Sequence, residues 1–146
     1  MTSHHEPFLA LVDDDVHSAR LMTRMLLAHG APTIRWPETP ATALGTLGAL
    51  LADRTAPLPG LVIVDLKASS VATRDFLVAL RRLPGAERLV VAAIMPALER
   101  QTRQSLLDSG ADAVFERHAE IDAYRREAAS LVSYWVRNQR LSAIGA

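Results

Sequence analysis

Two acidic strand ends hold most of the chemistry this chain can offer. Asp13-Asp14-Asp15 follows the short apolar run Phe8 to Val12, and Asp65 closes the run Leu61-Val62-Ile63-Val64. Carboxylates brought within a few ångströms repel one another, so without a positive charge between them one or more must take up protons. A hard divalent cation such as Mg²⁺ is the usual solution, held by one or two carboxylates, a backbone carbonyl and waters. With the metal in place, a carboxylate can attack a phosphoryl group and carry it as an acyl phosphate. The plainer reading makes each acid a cap for the helix that follows, a task Asp performs well. A lone acid would favour the cap. A cluster at one strand end and a second strand-final Asp favour a shared pocket.

Such a pocket needs the two strands side by side. The run before Asp65 is continuous, apolar and rich in β-branched residues, which suits a strand covered on both faces. Strands of this kind deliver their last residue to the carboxyl edge of the sheet, where open α/β folds place ligands. Further strands are expected at Thr33–Trp36, Leu89–Met95 and Ala113–Phe115. Between them, apolar residues recur at helical spacing. Ala19 to Leu27 leads to a stop at Gly30, and Thr39 caps a helix carrying Ala43, Leu44, Leu47, Leu50 and Leu51. Phe76 to Leu83 ends at Pro84-Gly85, and Pro96 opens a helix with Leu98, Leu106 and Leu107 that stops at Gly110. The last helix spans Ala119 to about Arg140. Alternating strands and helices call for a parallel sheet wrapped on both faces. The flavodoxin-like order 2-1-3-4-5 makes the two acidic strands neighbours. The expected fold is a doubly wound α/β sheet of five parallel strands with five helices.

The 146 residues suffice for one domain, expected over 8–140, with flexible segments at 1–7 and 141–146. Sixteen acidic residues against sixteen basic give no net pull toward nucleic acid or anionic lipid, and neither partner is expected. The absence of cysteine excludes disulfide and thiolate chemistry and suits a cytoplasmic location. No apolar run approaches membrane-spanning length. His4-His5 reads as a solvated tail without partner ligands.

On these anchors the chain resembles the receiver domains of two-component response regulators, stand-alone chemotaxis regulators among them. The resemblance covers about Phe8 to Val136. It rests on Leu11-Val12-Asp13-Asp14, Gly30, Ala43-Leu44, Leu61 to Asp65, and Gly110-Ala111. It implies that Asp13 and Asp14 form the acidic pair and that Asp65 stands at the phosphoacceptor position. Mg²⁺ would be bound by Asp13, Asp14, Asp65 and the backbone carbonyl of Lys67.

The departures fall on the parts that sense a phosphoryl group. Met95 stands where the family has a Thr or Ser hydroxyl, and a thioether cannot donate a hydrogen bond. Arg117-His118 replaces the family's Lys and cis proline. Arg117 keeps the charge in a longer, forked shape. Without proline a cis bond costs ~3 kcal/mol, so that peptide should be trans. Val114 stands for the family's switch aromatic, and Ala68-Ser69 and Thr73 replace Met-Pro and Gly in the loop after Asp65. Lys67 puts an ammonium beside the metal position. Either it points into solvent, or it takes over part of the ion's role and weakens metal binding.

The expectation is a non-enzymatic, atypical single-domain receiver whose phosphorylation switching is weakened or absent. It would act through contacts with a histidine kinase or another signalling protein, or as a homodimer through the fourth helix, fifth strand and fifth helix. The alternative is a conventional Mg²⁺-dependent receiver phosphorylated on Asp65 by a histidine kinase. A nucleotide-binding flavodoxin-like protein is the third reading, but its first turn should be glycine-rich. In the last helix, Ile121, Tyr124, Ala128, Leu131, Val132, Trp135 and Val136 form a core stripe, with Trp135 also a candidate exposed anchor. His118 either serves Asp65 or is an ordinary loop histidine.

Overall fold

Alternation of side chains along the buried strands sets the layers of the computed structural model, which describes residues 6–97 and 99–145. Leu9, Leu11, Leu61, Ile63, Ala92 and Ile94 pack on one face of the sheet, and Ala10, Val12, Val62, Val64, Val91, Ala93 and Met95 on the other. That period of two is what a doubly covered sheet demands. The strands are β1 (Phe8–Asp13), β2 (Thr33–Arg35), β3 (Val62–Asp65), β4 (Val91–Met95) and β5 (Ala113–Glu116). All pair in parallel, in the order β2-β1-β3-β4-β5. The flavodoxin-like expectation holds.

Five helices cover the sheet: α1 (Val16–Ala28), α2 (Pro40–Ala52), α3 (Ala72–Arg81), α4 (Arg100–Asp108) and α5 (Ile121–Gly145). Helices α1 and α5 bury their apolar stripes on the first face, while α2, α3 and α4 cover the second. The Thr39 hydroxyl accepts from the Thr42 amide at 3.0 Å, as a cap should. Gly30 and Gly110 follow their helices at φ +93° and +126°, the left-handed region that glycine enters freely. Among the described residues no helix is long and apolar enough to cross a membrane.

Three boundaries differ most from expectation. A short 3₁₀ turn, Ala86–Arg88, precedes β4 and delays it to Val91. Helix α4 begins at Arg100, so Pro96 lies in the bend before it rather than in its first turn. The Arg103 amide bonds back to the Glu99 carbonyl at 2.9 Å. Helix α5 runs past the expected end near Arg140, through residues 141–145. Met1 to His5 and Leu98 lie outside the described residues.

Trp135 is not the exposed anchor. It is buried, 8% exposed, in the α1/α5 layer, because the chain at Gly60 leaves room for its ring. A Cβ at Gly60 would stand 2.5 Å from the Trp135 Nε1 and 2.9 Å from its Cδ1. Gly60 also donates its amide to the Phe8 carbonyl at 2.9 Å, which fixes the backbone against β1. Neither the indole nor that backbone can yield cheaply. Gly60→Ala is expected to destabilise the fold by about 1–3 kcal/mol, the usual cost of overpacking. A urea melt checks it: the midpoint should fall with an unchanged slope, and an unshifted midpoint would refute the close approach.

Candidate functional site

Strand pairing builds the site. Asp13 and Asp65 are direct register partners on neighbouring strands, so their side chains leave the sheet edge together on the α1/α5 face. Both are buried, each 1% exposed. Two ionised carboxylates so placed need positive charge, and two side chains supply it. Lys67 Nζ lies 2.8 Å from Asp13 Oδ1 and 3.0 Å from Asp65 Oδ2, and it donates to the Asp65 carbonyl at 3.1 Å. Arg117 places Nε 2.9 Å from Asp65 Oδ1 and donates to the same oxygen through Nη2. Both oxygens of Asp65 are therefore engaged by cations. Lys67 turns inward, not to solvent.

The other two acids serve the backbone. Asp14 accepts from the Lys67 amide at 2.9 and 3.1 Å and from the Ala68 amide at 2.8 Å, which clasps the loop between β3 and α3. Asp15 is the cap that the plainer reading predicts. Its Oδ1 accepts from the amides of Ser18 and His17 at 3.1 and 2.9 Å, and these bonds hold its carboxyl below the usual range.

Asp13 behaves differently. Burial pushes its carboxyl above the ordinary value of 3.8, against the opposing bonds from Lys67 and the Asp15 amide. Its Oδ2 is buried and has no hydrogen-bond partner among the described residues. The Tyr124 phenol of α5 is pushed up to about 12, first by burial and then by the charges of Asp65 and Asp13.

Beyond these acids, Met95 is buried on the α3/α4 face and Val114 lies in the same layer. Neither offers a hydroxyl or a ring to the pocket. The Arg117 amide donates to the Met95 carbonyl at 2.6 Å and ties the ends of β4 and β5 together. The Arg117–His118 peptide is trans. His118 does not serve Asp65: its Nδ1 lies 3.1 Å from Glu116 Oε2 and its Nε2 3.3 Å from Glu127 Oε2.

Three participants were missed in the sequence. The Trp36 indole donates to the Asp13 carbonyl at 3.0 Å, and the Thr73 hydroxyl accepts from the Leu66 amide at 3.2 Å. Tyr124 reads as core from its helical spacing and gives no sign of its electrostatic coupling to the acids. For Trp36, strand order gives a hint, since β2 runs beside β1.

A divalent ion would have to compete with the Lys67 ammonium for this site. The place between Asp13 and Asp65 is filled by the Lys67 ammonium, and the Asp14 oxygens are committed to the loop. Among the described residues no group of three His, Cys, Asp or Glu side chains is disposed to hold a metal. Two unit charges 4 Å apart interact by roughly 4 kcal/mol at an effective dielectric of about 20, and a divalent ion doubles that against each cation. Entry of a metal would require the ammonium to leave.

The raised titration of Asp13 gives a prediction with a definite sign. The fold favours its protonated form, so the stabilisation is full below 3.8 and is lost as pH rises through the raised folded value. Asp13→Asn should remove that component. The wild type should lose stability relative to the variant as pH rises from 3.8 toward neutrality, read as denaturation midpoints across the range. Parallel profiles would contradict it.

No protein-family model matches the sequence, and no curated protein matches it significantly. Solved structures do. The Mn²⁺-bound form of response regulator Rcp1 matches with TM-score 0.71 at 15% identity, over 88% of this chain and 94% of that one. The phosphorylated cyanobacterial phytochrome response regulator RcpA gives 0.71 at 17%, over 90% and 95%. The receiver domain of sensor histidine kinase PA1611 from Pseudomonas aeruginosa PAO1, with magnesium coordinated in its active-site cleft, gives 0.67 at 13%, over 90% and 98%. This chain has the fold of the response-regulator receiver domains.

Proposed function

We propose that this chain is a receiver module of two-component signalling in which the Lys67 ammonium stands in for the exchangeable metal ion. It works by docking to a histidine kinase or another signalling protein, or to a second copy through α4, β5 and α5, without turnover of its own. The observation that carries this reading is the state of Asp65, whose two carboxylate oxygens are held by Lys67 and Arg117. A carboxylate so engaged is a poor nucleophile, and no hydroxyl from Met95 waits to receive the phosphoryl oxygen.

The relay from pocket to surface is missing as well. A switch needs an element with two discrete arrangements that the input can bias. With Met95 and Val114 in place of hydroxyl and aromatic ring, the pocket has no such element on β4 and β5. The exposed surface offers Glu99, Arg100, Arg103 and Gln104 near α4, and Arg125 on α5. Charges of both signs set register and partner choice more than affinity.

One observation favours the conventional reading. Arg117 does reach Asp65, which is where a phosphoryl-binding cation must be. Incubation with acetyl phosphate and Mg²⁺, followed by intact mass and oligomeric state, separates the two readings. The wild type is expected to gain no lasting phosphoryl group and no change of assembly. Submillimolar Mg²⁺ binding with a phosphorylation-driven change of assembly would overturn the proposal.

Lys67→Met gives the sharper test. Its removal leaves two buried carboxylates short of a cation and should cost about 2–3 kcal/mol, below the ~3–5 typical of a fully buried pair because Lys67 is partly exposed. Millimolar Mg²⁺ should restore much of that loss in the variant by binding the folded state, and should leave the wild type unchanged. Equal responses of the two proteins to Mg²⁺ would exclude the stand-in role.

A further inference from the structure

A cavity of about 360 Å³ opens beside the charge cluster, between the loop after β3 and the segment leading from β4 into α4. That is near the lower end of the ~300–1,000 Å³ typical of small-ligand sites. Its floor is apolar and buried: Leu66, Met95 and Leu106. Three charged side chains line it, namely Lys67, Glu99 and Arg117. An ammonium has three N–H donors, and the acceptors Asp13 Oδ1, Asp65 O and Asp65 Oδ2 account for those of Lys67. Arg117 has five donors and spends Nε and Nη2 on one oxygen of Asp65. Among the described residues no acceptor engages its Nη1.

From this we infer that the cavity binds a small apolar monocarboxylate, with its head on the free edge of Arg117 and its body over Leu66, Met95 and Leu106. The proposal goes beyond the receiver reading and does not rest on it. A guanidinium edge matches the planar, two-oxygen head of a carboxylate. A phosphate dianion fits less well, because Glu99 lines the cavity, Asp65 already bonds Arg117, and Met95 offers no donor. The Met95 thioether adapts to bodies of different shape, aromatic ones included. Glu99 occupies the cap position of α4, and its side chain makes no capping bond to the helix.

The full chain is titrated with octanoate, then with octanol and with inorganic phosphate, while the Met95 methyl and the Ser69, Ser70 and Thr102 amides are followed by NMR. Octanoate should give saturable shifts at Met95. Octanol should bind about tenfold more weakly or worse, for want of the charged head, and phosphate should not displace octanoate. Arg117→Gln should cut octanoate affinity about tenfold and leave octanol unaffected. Thr102→Trp, a change at an exposed position that leaves folding intact, should close the mouth and weaken both organic probes. Absence of saturable shifts at Met95, equal binding of octanol, or displacement by phosphate would each overturn the proposal. So would an Arg117→Gln protein that binds octanoate undiminished. If that variant does not fold, the wild-type comparison of octanoate with octanol still decides.

Discussion

Two buried carboxylates one strand apart are the constraint that the rest of this site answers. Parallel pairing of β1 with β3 places Asp13 and Asp65 in register, and the twisted sheet gives them no way to separate. Two like charges about 4 Å apart repel by roughly 4 kcal/mol at an effective dielectric of about 20, a large share of a domain's stability. Lys67 and Arg117 cancel that charge to a formal zero. What remains is the cost of desolvation, which appears at Asp13 as a carboxyl raised above its ordinary value.

A tethered ammonium differs from an exchangeable ion in one decisive way. The ion's occupancy depends on its concentration and can be altered by a phosphoryl group that shares its coordination shell. The ammonium is present at fixed stoichiometry and saturates three acceptors within the protein. On the proposed reading, such a pocket holds one state, and the buried strand ends around it gain little by rearranging. An input to such a module would act through its surfaces or through the cavity on the α3/α4 side of the sheet.

The sequence made the fold legible because its strongest signals are the ones tertiary context rarely overrides. Buried strands of β-branched residues, a Thr cap before α2 and glycines after α1 and α4 all appear as read. The start of α4 did not. Proline suits a first helical turn, but Pro96 also suits the bend that precedes one, and local sequence does not choose between them. Trp135 lies in the core stripe as its spacing indicates, while the anchor alternative fails because helical periodicity gives the face a residue occupies and not how far the covering chain extends. Gly60, distant in sequence, is what makes room for it. At the site, strand order predicted that Asp13 and Asp65 meet, whereas the direction of Lys67 stayed open because a flexible stem reaches either water or an acid. Division of labour among Asp13, Asp14 and Asp65 was likewise beyond sequence, since it turns on which backbone amides face which oxygen.

That division also explains why the ammonium lands where it does. Lys67 binds Asp14 through its amide and binds Asp13 and Asp65 through its side chain. The first contact orients the backbone at the start of the loop, and the second becomes short only when that orientation is set. Thr73 adds a third hold by bonding the Leu66 amide one residue earlier. Closing the loop and neutralising the carboxylates are therefore a single structural event, in which the acid nearest solvent positions the cation for the two acids that water cannot reach.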